Sequence, residues 1–302
     1  MNDVAAKVRQ RWRSFWFRPE PPLALGICRI VLYGMFILWI APADFAVCVP
    51  MSKIYWHPIS FFMLLNPHGP PSAKWLHGMQ SVWKVSLITS FLGLRTRVST
   101  VVACLLGVYL VGLPYNLGQV NHDTAVACIG LAVMALSQCG RFWSLDQLIA
   151  HFRGRPFAGT PSAEYRWPIQ LMRVVICSVF FGAGLNKLRT SGLGWVTSET
   201  LQMNLMQFPT PTGLWLLHYP RLCHLVAAFT IIVEFLHPVS LLSGRLALFW
   251  VPAGISLLVG IYLTMDIWFL PLIVAHVFWV PWNFIFARQL CAAKTSSRDR
   301  NR

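Results

Sequence analysis

Residues 246–265 read Leu-Ala-Leu-Phe-Trp-Val-Pro-Ala-Gly-Ile-Ser-Leu-Leu-Val-Gly-Ile-Tyr-Leu-Thr-Met, with no charged residue among them. A helix rises about 1.5 Å per residue, so the run covers roughly 30 Å, the thickness of a bilayer's hydrocarbon layer. A run of that length reads as a transmembrane helix. Further apolar segments lie at roughly 22–41, 76–94, 98–118, 122–139, 168–187, 222–243 and 267–286. The expected fold is an all-α integral membrane protein, a polytopic bundle of about eight transmembrane helices. The tight joints near 244 and 266 also allow about six or seven full spans with a re-entrant piece.

Composition agrees with the segments. Of 302 residues, 56% are hydrophobic and 12% charged, and mean hydropathy is +0.56. A soluble domain carries about 25% charged residues, so a soluble enzyme, a disordered chain and a small disulfide scaffold are excluded. The 20 Pro and 14 Trp fit a membrane protein, where Pro is tolerated inside spans and Trp gathers at the interfaces.

The formal charge of +15 is distributed by loop. Seventeen basic residues fall on one side: Lys7, Arg9, Arg11, Arg13, Arg18, Arg95, Arg97, Arg141, Arg153, Arg155, Arg166, Arg245, Arg288, Lys294, Arg298, Arg300 and Arg302. Lys53, Lys74, Lys187, Arg189 and Arg221 fall on the other. Basic loops stay in the cytoplasm, so both termini are expected there. The basic face would attract acidic lipid headgroups. Its dispersal over short loops argues against nucleic acid. A cleaved signal peptide is the rival reading of the first span. Its length, its internal Arg29 and the spans that follow favour an anchor.

The expected organisation is a basic cytoplasmic tail (1–21), one membrane domain (22–287) and a second basic tail (288–302), the latter disordered. The eight Cys show no CxxC, so neither a disulfide framework nor a zinc site is expected. Cys48 stands in an external loop. Loops at about 42–75 and 188–221 are rich in aromatics and Pro, as segments lying in the membrane interface would be.

Ionisable residues within spans are functional suspects. Arg29, Arg173 and Glu234 are expected to form an intramembrane charge cluster joining spans 1, 5 and 6, as a structural clamp or a seat for an anionic headgroup. Lys84 either snorkels or joins them. Glu234 and His237 have the Glu-x-x-His spacing of di-iron bundles, but such a site needs two pairs and further carboxylates. No metal is expected. At the outer rim, span 4 opens with Asn121-His122-Asp123 and span 5 closes with Phe180-Phe181-Gly182-Ala183-Gly184-Leu185-Asn186-Lys187. Both ends reach one face, so His122 and Lys187 can share a cavity. The small residues allow close helix approach or room for a flat ligand. Drying disfavours the charged form of an amine, and a neutral amine can act as a base; a nearby imidazole can stabilise an oxyanion. Taken singly, the Lys also reads as a snorkelling anchor and the His as a cap-region residue.

These residues carry a resemblance. Asn121-His122, Gly140-Arg141-Phe142-Trp143-Ser144-Leu145-Asp146 and Phe180 to Leu188, with Gly93-Leu94-Arg95-Thr96-Arg97 and Arg29-Ile30-Val31-Leu32, are similar to the membrane part of vitamin K-dependent gamma-glutamyl carboxylase. That enzyme belongs to the wider horizontally transferred transmembrane domain family, and the likeness covers roughly 25–240. It implies that Lys187 deprotonates a quinol resembling vitamin K hydroquinone and that His122 assists oxygenation. Asn121, Gly184 and Trp195 would then contact substrate. The implied ligand is a quinone or a lipid, and the location a bacterial inner membrane with the active face periplasmic.

The chain also departs from the carboxylase. It ends soon after its last span, where that enzyme has a large lumenal region, and three extra residues separate Leu188 from Trp195. Thr197-Ser198 replace a Glu-Gly or similar pair. Carboxylation of protein glutamate is therefore not expected. The alternatives are a non-catalytic accessory, maturation or immunity-type membrane protein, and, third, a transporter. The chain shows no inverted repeat to favour a transporter.

Overall fold

A computed structural model of the chain describes residues 2–51, 53–118, 122–155 and 160–286. Asn121 and the second basic tail lie outside the described residues, as do the side chains of His122 and Asp123. No strand forms among the described residues; Glu20 and Ser162 make one isolated antiparallel bridge. The helices are α1 (Asn2–Phe17), α2 (Leu23–Met35), α3 (Phe62–Leu65), α4 (Ala73–Leu92), α5 (Thr96–Gly112), α6 (His122–Leu136), α7 (Leu145–Phe152), α8 (Arg166–Ser191), α9 (Gly194–Thr197), α10 (Thr200–Gln207), α11 (Pro211–Leu217), α12 (Pro220–Leu236), α13 (Gly244–Met265) and α14 (Leu270–Ala275).

Five helical stretches are long and apolar enough to cross a bilayer: Leu23–Ile40, Thr96–Leu117, Ala163–Ser191, Pro220–Leu241 and Gly244–Met265. The other three expected spans differ for local reasons. Helix α4 has the length, but Lys74, His77, Gln80, Lys84, Ser86 and Ser90 dilute its hydropathy. The apolar part of α6 is only Thr124–Leu136. Residues 267–286 do not form one helix: Pro271 sits in the first turn of α14, a 3-10 turn His276–Trp279 follows, and the chain breaks at Pro281. Proline supplies no N–H and its ring clashes with the preceding turn.

The chain divides into two compact units, Met1–Met172 with Val280–Arg302, and Arg173–Trp279. In the first, α2, α4, α5 and α6 pack around a core that includes Leu25, Leu32, Phe36, Leu76, Trp83, Leu87, Leu110 and Leu131. Trp83 is wholly buried, donates its indole N–H to the Ala103 carbonyl at 3.1 Å, and meets Phe36 and Phe45 edge-on. Gly107 makes room for it: a Cβ there would come within 2.7 Å of Leu131 Cδ1 and 3.0 Å of Trp83 Nε1.

The aromatic loop within 42–75 is fastened by hydrogen bonds to the helical part of the first unit. Asn116, buried, accepts from the Ile59 N–H on its side chain and the His57 N–H on its carbonyl, while Tyr109 donates to Asn66. Trp56 and Phe62 are consequently buried, whereas Tyr55, Phe61, Leu64 and Leu65 remain exposed. Cys48 is also buried; burial, and then the nearby Asp44 carboxylate, push its thiol up, so it behaves as an inert packing residue.

In the second unit, the 188–221 segment folds into α9, α10 and α11. Leu201, Leu205 and Leu216 close over Cys223 and Ala227 of α12. Pro238 ends α12 by converting His237–Leu241 to a 3-10 turn. The His237 ring then lies flat on Phe180 at 4.1 Å and against Gly254, where a Cβ would come within 2.7 Å of it.

Candidate functional site

Helix α8 is built to let another helix come close near its end. At Gly184 a Cβ would sit 3.0 Å from both Glu234 Cβ and the Phe235 nitrogen, so glycine is what admits α12 there. Gly182 faces open space. Gly184 was expected to contact a ligand; its missing side chain is filled by Glu234 instead. Three residues further on, Lys187 Nζ meets both carboxylate oxygens of Glu234, at 2.5 and 2.6 Å. The pair is mostly dry, and each partner cancels the other's charge, the condition under which buried ions are tolerated.

The chain then turns back over the amine. Gly192 takes a left-handed conformation (φ +56°) and donates its N–H to the Leu188 carbonyl, ending α8. This brings α9 round so that the Trp195 ring covers Lys187 Nζ at 5.2 Å, within cation–π range. A 2.6 Å hydrogen bond between His224 Nδ1 and the Val196 carbonyl ties α9 to α12. The Trp195 indole N–H is buried and has no acceptor among the described residues. The site therefore offers an ammonium, a carboxylate, an aromatic face and an uncommitted N–H donor.

The expected cluster of Arg29, Arg173 and Glu234 is replaced by three separate arrangements. Glu234 is engaged by Lys187. Arg173 lies eleven residues before Gly184 on α8, roughly 16 Å along the axis, beyond its side chain's reach of that level. It donates to the Phe278 carbonyl at 2.9 Å and lies 5.0 Å from the Trp279 ring. Arg29, fully buried, donates to the backbone carbonyls of Ser90, Phe91, Cys139 and Trp143 at 2.5 to 3.2 Å. Lys84 is exposed on α4, as a snorkelling residue would be. Glu234 and His237 diverge, one to Lys187 and the other to Phe180. Among the described residues no group of three or more His, Cys, Asp or Glu is placed to hold a metal ion.

Arg29 belongs to a second construction that sequence reasoning did not resolve. Asp146 accepts from the Arg95 N–H, the Thr96 N–H and the Thr96 hydroxyl, each at 2.7 Å, and donates its own N–H to the Gly93 carbonyl. Gly93, at φ +70°, is pressed so close to Ser144 that a Cβ would lie 2.4 Å from Ser144 Cβ. Gly140 likewise abuts Thr96 Oγ1, 2.5 Å from where its Cβ would be. The segments 93–97 and 140–146 thus interlock, with Arg29 donating to the Trp143 carbonyl within them and to the Ser90, Phe91 and Cys139 carbonyls just before them.

The HTTM domain family description matches residues 17–282. The chain belongs to the HTTM domain family. No curated protein and no solved structure was found similar to it. The match spans most of the chain, and the helices in it mark a multi-pass membrane protein of that family. Within the HTTM domain lie both the Lys187–Glu234 pair and the interlock. His122 opens α6 in the first unit, whereas Lys187 lies in the second, and the His122 side chain is outside what is described.

Proposed function

We propose that this HTTM protein is a membrane-embedded enzyme that takes a proton from the hydroxyl of a quinol-like, amphipathic substrate at the periplasmic face of a bacterial inner membrane. The observation that carries the reading is the Lys187–Glu234 pair roofed by Trp195. A hydroxyl docked beside Nζ would pass its proton toward the pair, with Lys187 relaying a proton to Glu234. The products are the substrate oxyanion, the ammonium and a neutral carboxylic acid. The charge moves from Glu234 to the substrate oxygen, where the ammonium and the Trp195 N–H can stabilise it. Trp195 also supplies a flat face for a ring. The resemblance to the carboxylase supports the same assignment of Lys187, and suggests His122 as the helper in oxygenation and Asn121 as a substrate contact.

A second reading also rests on the pair: a charge-neutral bridge can simply pin α8 to α12 in a non-catalytic accessory, maturation or immunity-type protein. The protein reconstituted in vesicles with vitamin K hydroquinone separates the two. General-base loss costs about 10²- to 10⁴-fold in rate, so Lys187→Met/Glu234→Gln, which leaves no orphan charge, is expected to consume quinol at least about 100-fold more slowly. A folded double variant that turns over normally would overturn the catalytic reading and leave the bridge as scaffold.

A further inference from the structure

The interlock of segments 93–97 and 140–146 encloses more than it needs for packing. Beside it, in the first unit, is a cavity of about 510 Å³ lined by the start of α5, the residues after α6 and one face of α7. That volume is within the range of small-molecule sites, roughly 300–1,000 Å³, and is far larger than a single ion. Arg97, Arg141 and Arg155 line it, with His151 and Gln138. The one acid on its wall is Asp146, and both of its oxygens are already committed to the first turn of α5. Among the described residues none of the three arginines forms an ion pair. Arg141 is steadied through Nε by Gln138 Oε1 at 3.3 Å, which leaves its terminal nitrogens uncommitted to that bond.

Three arginines on the wall of one cavity, against a single spent carboxylate, make that wall net positive. Guanidinium forks match the oxygens of phosphate and can bind them two at a time. An ordinary solvated loop would spread such like charges apart. Here the backbone that carries Arg97 and Arg141 is set by the close approaches at Gly93 and Gly140 and by the buried Arg29, while the three arginine side chains are exposed toward the cavity mouth. We propose that this cavity binds a phosphate-bearing ligand, its anionic oxygens held by Arg97, Arg141 and Arg155. Two sources supply that chemistry, the headgroup of an acidic lipid and a soluble phosphate compound. The site is independent of the proton-transfer reading, since it uses none of its residues.

The test uses the full chain purified in detergent, with two probes. Phosphatidic acid, against phosphatidylcholine as reference, is followed by native mass spectrometry. Inorganic pyrophosphate is followed by thermal stabilisation at constant ionic strength, because screening alone alters exposed charges. The variants are Arg97→Gln/Arg141→Gln and, separately, Arg155→Gln, with Arg11→Gln/Arg13→Gln in α1 as a charge-matched control. Retention of phosphatidic acid that weakens about tenfold in the cavity variants and not in the control supports a lipid ligand. Saturable stabilisation by pyrophosphate with the same variant pattern supports a soluble one. Equal weakening in the control, or binding of neither probe by wild type, overturns the site. Unchanged melting of the Arg155→Gln variant without ligand shows that its loss of binding is not a loss of fold.

Discussion

Replacing Lys187 by Met leaves the Glu234 carboxylate in place, only 6% exposed, with its bidentate partner gone; the Lys187 side chain itself is 20% exposed. Breaking a buried ion pair from one side costs about 3–5 kcal/mol, because the remaining charge is stranded. The carboxylate has an escape, which is to take a proton. For an ordinary Glu of about 4.3, at about 1.36 kcal/mol per pH unit, protonation at pH 7 costs about 3.7 kcal/mol and sets the ceiling. At pH 5 the same ceiling falls to about 1 kcal/mol. The sign follows from proton binding: the folded variant keeps its proton to higher pH than the unfolded chain, so its deficit is largest at pH 7 and shrinks as pH falls. We expect Lys187→Met to lose about 3 kcal/mol at pH 7 and about 1 kcal/mol at pH 5, measured by denaturant titration in mixed micelles. Lys187→Met/Glu234→Gln should recover to within about 1 kcal/mol of wild type at both pH values, since an amide strands no charge. If the single variant is no less stable than the double, or if its deficit is the same at pH 5 and pH 7, Glu234 is not a stranded carboxylate and the pairing is wrong.

Three further outcomes are expected. Gly184→Ala places a Cβ against the Glu234 Cβ and the Phe235 backbone and should cost about 1–3 kcal/mol by overpacking, whereas Gly182→Ala, with nothing nearby, should melt within about 0.5 kcal/mol of wild type; equal melting of the two would contradict the close approach of α8 and α12. Arg29→Met orphans carbonyls that accept from the guanidinium and should destabilise by about 3 kcal/mol or more, which a normal unfolding midpoint would refute. Asp146→Ala removes three hydrogen bonds at the start of α5 and should cost about 1–2 kcal/mol, read as faster amide exchange at Arg95 and Thr96; unchanged exchange there would remove Asp146 as the cap.

Individual residues show where the sequence could be read and where it could not. Lys187 stood out because an amine at a span end beside three small residues is unusual, and Trp195 followed from the carboxylase likeness; the fold brings the two together. Glu234 was visible as the acid deep in a span, yet it was matched with the arginines. Depth along a helix can be counted, but Glu234 and Lys187 are 47 positions apart, and which levels of α8 and α12 face one another depends on how far α12 slides along α8. Gly184 settles that slide, and its meaning emerges only when the neighbour filling its space is seen. Arg29 was misassigned for a related reason: a guanidinium can be satisfied by carbonyls, and which carbonyls are left free at helix ends depends on how the turns are capped.

Residence in the bilayer, the helical class and the main crossing segments were written in the sequence, because partition into hydrocarbon is close to additive along a segment and needs no partner. The Lys187–Glu234 bridge under Trp195, the Asp146 interlock and the arginine-lined cavity belong to the tertiary structure alone. Each depends on the few glycines that set how closely backbones approach, and a hydrogen bond or ion pair is gained or lost over a shift of about 1 Å.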